Sequence, residues 1–175
     1  KRQDEDGPIL RLTDRCPDLM ALFIEHGATA LGYPENMLQQ LAWGGLTRQV
    51  RMLIDAGLEV QGSAYAVSVN ECPETARLLL QAGADPNATD NGKETWLAKK
   101  LHQATYGTKK ERSVILAVMQ VFLEFGADPN LPNRRGVPPL VQAASAGWFD
   151  GFKLLLESGA DPHQTDTDGK TALEY

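Results

Sequence analysis

Short apolar runs recur along the chain, and each one stops at a glycine. Leu22-Phe23-Ile24, Met52-Leu53-Ile54, Leu78-Leu79-Leu80, Val121-Phe122-Leu123 and Leu154-Leu155-Leu156 are followed, at one constant offset, by Gly27, Gly57, Gly83, Gly126 and Gly159. Glycine takes the left-handed conformation that closes a last helical turn without a steric penalty. Three of the endings share one phrase: Gly83-Ala84-Asp85-Pro86-Asn87, Gly126-Ala127-Asp128-Pro129-Asn130 and Gly159-Ala160-Asp161-Pro162-His163. Proline three residues after the glycine keeps the helix from resuming. The pattern therefore predicts five helices that end alike, at spacings of 30, 26, 43 and 33 residues.

The rest of the unit is clearest toward the C-terminal side. Asn133-Arg134-Arg135-Gly136 reads as a turn, and Pro138-Pro139-Leu140 opens a short helix through Ala143-Ala144. Proline suits the first helical turn, where no amide donor is needed. Gly147 interrupts, and a second helix runs from about Asp150 to Glu157. The next copy begins Asp166-Thr167-Asp168-Gly169-Lys170, and Thr171 and Glu174 have the spacing of a capping box.

A turn, two antiparallel helices and a repeat of this length resemble the ankyrin repeat, whose unit is 33 residues. Gly136, Pro139-Leu140, Ala143-Ala144, Gly147, Leu154 to Leu156 and Gly159 to Asp161 carry the resemblance. It extends with less fidelity over about nine-tenths of the chain. It implies an all-α solenoid over residues 1–175, with about five repeats and a partial sixth. The units are 6–30, 31–60, 61–87, 88–130 with an insertion near 103–112, 131–163 and a partial 164–175. The family's Thr-Pro-Leu-His signature is intact nowhere: Gln39, Ala98, Val141 and Glu174 stand at the histidine position. Lys93 occupies one turn-glycine position, with Gly92 before it.

Two departures from the period have consequences. Only Leu58 to Gly62 connects Gly57 to the next helix, so the projecting finger between the second and third units is expected to be lost. The fourth unit is ten residues too long. Thr108-Lys109-Lys110-Glu111 has capping-box spacing, and a helix from about 109 to 125 would present Val114, Val118, Val121 and Phe125 on one face. The surplus then projects as a loop around Tyr106-Gly107, either a binding insertion or a plain surface extension.

Composition narrows the function. The chain has 175 residues, 42% of them apolar, with a net charge of -6. The charge argues against nucleic acid and anionic membrane, which need a concentrated basic face. No apolar stretch is long enough to span a membrane. Cys16 and Cys72 fall at equivalent places two units apart, too far for a disulfide, and are expected to be free thiols. His26, His102 and His163 lie in different units, so no metal site is expected. No phosphate loop or nucleophile elbow is present. The expectation is a protein without catalysis, cofactor or small-molecule substrate.

What remains is binding of another protein. Partners of ankyrin-like proteins meet the turn tips and the ends of the first helices, along a concave face. Carried over by position, the first-helix residues are Trp43, Asn70, His102, Gln103 and Ser145; the tips are Asn91, Arg134, Arg135, Thr167 and Asp168. Tyr106 joins them through the insertion. Trp148, after the turn glycine, fits either the contact set or interior packing, and Trp43 has the same two readings. Trp96 stands where the family has proline and reads as packing between units. Tryptophan and arginine dominate many interfaces. A sharper alternative is an immunity protein or inhibitor that neutralises a bacterial toxin or effector enzyme. Another is the non-catalytic part of a larger enzyme or scaffold. Two free thiols fit a cytoplasmic setting; the chain begins without Met, and removal of a signal sequence would fit a periplasmic one.

Overall fold

The computed structural model describes residues 37–58, 60, 71–90 and 93–175. Asn70, Asn91, His26, Cys16, Gly27 and the short connection after Leu58 fall wholly or largely outside that set.

Seven α-helices occur among the described residues: α1 (Met37–Trp43), α2 (Thr47–Asp55), α3 (Pro73–Gln81), α4 (Trp96–Tyr106), α5 (Lys109–Glu124), α6 (Pro139–Ser145) and α7 (Phe149–Glu157). A single 3-10 turn, Ala172–Glu174, follows. The fold is an all-α repeat solenoid in two layers. First helices stack in one layer, α4 on α6 and α6 on the 3-10 turn; second helices stack in the other, α2, α3, α5 and α7 in order. Within a unit the helices pack as the pairs α1/α2, α4/α5 and α6/α7.

The repeated glycines do what the pattern requires. Gly57, Gly83, Gly126 and Gly159 have φ between 87° and 97°. In each case the residue after the glycine donates its amide back to the helix, as Ala84 does to Leu79 and Ala127 to Phe122. The Asp and Asn of the phrase have a further role. Asp85, Asp128 and Asp161 accept from the amides of Asn87, Asn130 and His163, fixing the turn. Asn87 then crosses to the next unit. Its Nδ2 donates to the Gly126 carbonyl at 3.1 Å, and its Oδ1 accepts from the Asp128 amide at 2.7 Å. Asn130 repeats both bonds one unit later, to Gly159 at 3.3 Å and from Asp161 at 2.8 Å.

The core lies between the layers, and each unit contributes to it. Leu38, Leu41, Val50 and Leu53 fill one end; Leu79, Leu101, Ile115, Met119, Phe122, Leu140 and Leu155 continue it. Trp96 is 1% exposed and stacks on Phe122, with ring centroids 4.4 Å apart and planes 8° from parallel. Trp96 is thus a packing residue as expected, but its stacking partner lies in the second helix of its own unit rather than in a neighbouring one. Cys72 is a free thiol; its sulfur lies 3.3 Å from the buried Thr75 hydroxyl.

The long second helix expected in the fourth unit is present, α5 having sixteen residues against nine in α7; the expected projecting loop is not, because α4 lengthens too, to eleven residues against seven in α6. The two helices are joined across Gly107 and Thr108 alone. The capping box is present, with Thr108 Oγ1 accepting from the Glu111 amide and Glu111 accepting from the Thr108 amide. The buried face of α5 also differs. Ile115, Val118, Met119, Val121 and Phe122 are buried, whereas Val114 and Phe125 are only half-buried. The reason is that α5 is covered by α3, α4 and α7 together, which widens its buried face beyond one stripe.

Candidate partner-binding surface

Each unit runs from a turn tip along its first helix, reverses, and returns along its second. The tips lie at one end of the helices and the helix–helix turns at the other. The tips are built by one device. Asp90, Asn133 and Asp166 accept side-chain bonds from backbone amides on across their turns: Asp90 from Glu94, Asn133 from Arg135 and Val137, and Asp166 from Asp168 and Lys170. Single antiparallel bridges, Thr89 with Thr95 and Thr165 with Thr171, close two of the tips. Gly136 has φ +75°, and a Cβ there would lie 3.1 Å from Thr167 Cγ2 of the following tip. Neighbouring tips therefore nearly touch.

Arg134, Arg135, Thr167 and Asp168 are all exposed on these tips. Arg134 is tethered to the preceding unit: its amide donates to Glu94 at 3.2 Å, and its guanidinium lies 3.9 Å from the same carboxylate. Hydrogen bonds from the Tyr175 hydroxyl and from the backbone amides of Lys170 and Asp168 hold the Asp166 carboxyl below its usual range. The same bond to Asp166 raises the Tyr175 hydroxyl.

The predicted first-helix residues lie on the turn side of the layer. Trp43 is 59% exposed and Tyr106 84% exposed. His102, Gln103 and Ser145 are exposed as well. His102 and Tyr106 meet edge to face, with ring centroids 5.8 Å apart. Gln103 belongs to a small polar network: its Nε2 donates to Glu71 at 3.3 Å, and its Oε1 accepts from Lys100 at 2.9 Å. Lys100 is buried along its stem. Burial pulls its ammonium below the usual lysine range, and the nearby Glu71 carboxylate partly offsets this. Neither Lys100 nor Glu71 was singled out from sequence.

Trp148 does not belong to the contact surface. It is 4% exposed, and its ring lies against Gly151 so closely that a Cβ there would stand 2.6 Å from Trp148 Cε3. The indole fills the space that the missing side chain leaves, and only a small part of it reaches the surface. Conversely, Phe149 is 74% exposed and went unremarked in the sequence. Among the described residues, no group of three His, Cys, Asp or Glu could hold a metal ion, and no helix is long and apolar enough to cross a membrane.

A family model described as "Ankyrin repeats (many copies)" matches residues 118–175, and one described as "Ankyrin repeat" matches residues 64–91. The chain belongs to the ankyrin-repeat protein family. Its ankyrin repeats make it a protein-binding module. It is similar to Ankyrin repeat and SOCS box protein 6 of Homo sapiens, 27% identical over 97% of this chain and 40% of that protein. It is 34% identical to the E3 ubiquitin-protein ligase KEG of Arabidopsis thaliana over 57% of this chain and 6% of the ligase. It is 26% identical to the mitochondrial disaggregase of Bos taurus over 79% of this chain and 20% of the disaggregase. The chain thus spans well under half the length of each of these relatives. All three likenesses involve chains that extend far beyond the matched ankyrin segment.

Proposed function

We propose that this solenoid binds a partner protein through the ends of its first helices and its turn tips, along a concave face, and does so without catalysis. One observation supports this above all: Trp43 leaves most of its ring in water. The chain's other tryptophans set the contrast, since Trp96 and Trp148 are almost fully buried. A large indole that no packing requires is the kind of side chain that dominates interface energy once desolvated. Tyr106 and Arg134 supply an aromatic and a guanidinium farther along the stack.

The test is affinity capture with the purified chain, identification of the retained protein, and titration of that protein against variants. Trp43→Ala and Arg134→Ala should each weaken binding by about tenfold or more, with unchanged circular dichroism. Affinity unchanged from the parent in both variants would remove this contact set.

A second reading is favoured by the relatives' lengths: the chain serves as the partner-recruiting portion of a larger protein. Fusion of the chain to an unrelated reporter should then suffice to bring the partner to that reporter. The inhibitor reading has the net charge of -6 in its favour, which suits a basic toxin or effector. It requires that an equimolar amount of the chain abolish the captured protein's activity. Full activity in the complex excludes it and leaves recruitment.

A further inference from the structure

The helical overhang of the fourth unit creates a groove that the contact set above does not use. It lies at the helix–helix turn end, away from the tips. The first two turns of α5 project past the shorter α6/α7 turn, and the step between them encloses about 460 Å³. That volume falls in the range of ligand-binding clefts. Leu116, Trp148 and Phe149 give the groove an apolar floor and lip, with Lys109 and Arg112 on one wall and Asp150 on the other.

Arg112 builds the step. Its Nε donates to the Ala104 carbonyl at 2.9 Å, at the end of α4, and its Nη2 donates to the Ala146 carbonyl at 3.0 Å, after α6. The wall is thus rigidly attached to two units. Phe149, at the first position of α7, stands where α2 has Thr47, α3 has Pro73 and α5 has Lys109. An aromatic ring in that place, mostly in water beside a buried indole, is an unpartnered apolar surface.

The charges give the occupant's chemistry. Lys109 and Lys110 occupy the first two positions of α5, where the helix dipole favours carboxylates. The second position is acidic in α3, with Glu74, and in α7, with Asp150. Both lysines are exposed, and none of the described ion pairs includes them. The nearest acid in sequence, Glu111, is occupied by the capping box. A local choice that opposes helix stability without structural compensation marks a functional position.

We infer that this groove docks an acidic segment of a partner protein, with one large apolar side chain seated against Phe149, Trp148 and Leu116 and its carboxylates on Lys109 and Lys110. The groove uses none of the exposed contact residues above, although Tyr106 and Ser145 end the two first helices that open onto it.

The test uses the full chain and a phage-displayed library of short random peptides, followed by fluorescence polarisation with the enriched peptides. The expected sequences pair Asp or Glu with Phe, Trp, Tyr or Leu. Their affinity should fall about tenfold or more in Lys109→Glu/Lys110→Glu and in Phe149→Ser. It should also fall as salt rises from ~0.01 to ~0.15 M, which shortens the Debye length from about 30 to about 8 Å. Trp43→Ala and Arg134→Ala should leave it unchanged. All five substitutions are at exposed positions, and circular dichroism checks that each variant is folded. Failure to enrich any peptide overturns the proposal. So does enrichment of peptides without acidic residues, or of peptides sensitive to Trp43→Ala and indifferent to the lysines. The last result would leave the first-helix surface standing and remove the groove alone.

Discussion

The asparagines of the repeated phrase should act as clamps between units, and their energy can be worked from geometry. Replacing Asn87 by Ala removes two bonds that no neighbouring side chain can remake: one donated to the Gly126 carbonyl at 3.1 Å and one accepted from the Asp128 amide at 2.7 Å. A neutral hydrogen bond contributes about 0.5–1.5 kcal/mol net. Gly126 is exposed, so water replaces much of the first bond, whereas the Asp128 amide is partly buried. The loss should then be about 1–2 kcal/mol. Asn130→Ala should cost less, because its bonds are longer, at 3.3 and 2.8 Å, and both lie at the surface. Urea unfolding followed by circular dichroism reads this directly. With a slope of ~1–3 kcal/mol per molar, the midpoint should fall by roughly 0.5 M for Asn87→Ala, with the slope unchanged. Asn87→Asp keeps the acceptor but aims an anion at the Gly126 carbonyl, so it should cost at least as much at neutral pH. The two asparagines serve different interfaces, and the double variant should be additive within about 0.5 kcal/mol. If both alanine variants stay within about 0.5 kcal/mol of the parent, or if Asn130 proves the costlier, the clamp reasoning is wrong.

Lys93→Gly should stabilise the protein by about 0.5–1 kcal/mol in the same assay, because Lys93 holds φ at +59° where glycine is at no disadvantage. Gly151→Ala should destabilise it by about 1–3 kcal/mol, since the new Cβ would stand 2.6 Å from the Trp148 ring; near-UV circular dichroism should report the displaced indole. Hydrogen bonds from the Thr108 amide and hydroxyl hold the Glu111 carboxyl below its ordinary value. A lowered folded-state value means stability that is present above the unfolded glutamate range and is lost as pH falls through the folded value. Thr108→Ala should therefore be less stable at neutral pH and lose less stability on acidification than the parent, as read from thermal midpoints across the acidic range.

Much of the fold could be read before any coordinates because it rests on local steric rules. A glycine at a constant offset after an apolar run has one physical use, and Gly57, Gly83, Gly126 and Gly159 all show it. Capping boxes are equally local, and those at Thr108 and Thr171 are present. The misses share a different cause. Trp148 keeps two readings, contact or packing, because its position in the unit does not decide between them; its burial depends on Gly151, one helical turn away on the same face. That pairing was available in the sequence as a Trp and Gly three apart. The bonds of Asn87 and Asn130 join residues about one unit apart, so a repeated Asn could be seen while its partners could not. Of the candidate contacts, Trp43, His102, Gln103, Tyr106, Arg134, Arg135, Ser145, Thr167 and Asp168 are exposed. Their exposure follows from the two-layer stack rather than from anything in their local sequence.

The form of the insertion has a physical logic that connects fold to surface. Relative to the following unit, α4 gains four residues and α5 gains seven. At 3.6 residues per turn these are close to one and two whole turns. Whole turns return the apolar face to the same side, so the tip-proximal parts of both helices keep their packing against α3, α6 and α7. A surplus of two residues in one helix would instead rotate its buried face through about 200° and expose it. The unit can therefore lengthen only in quanta that leave the stack undisturbed, and all of the added length must emerge at the helix–helix turn. At 1.5 Å per residue, α4 extends by about 6 Å and α5 by about 10 Å. That difference makes the step beside α7 that Arg112 bridges and Phe149 borders. The groove is thus a consequence of extending a repeat in phase, and the exposed residues around it, unlike Arg112 and Trp148, are under no obligation to the stack. Lys109 and Phe149 in the lining, and Lys110 next to Lys109 in sequence, are the positions where the sequence has used that freedom.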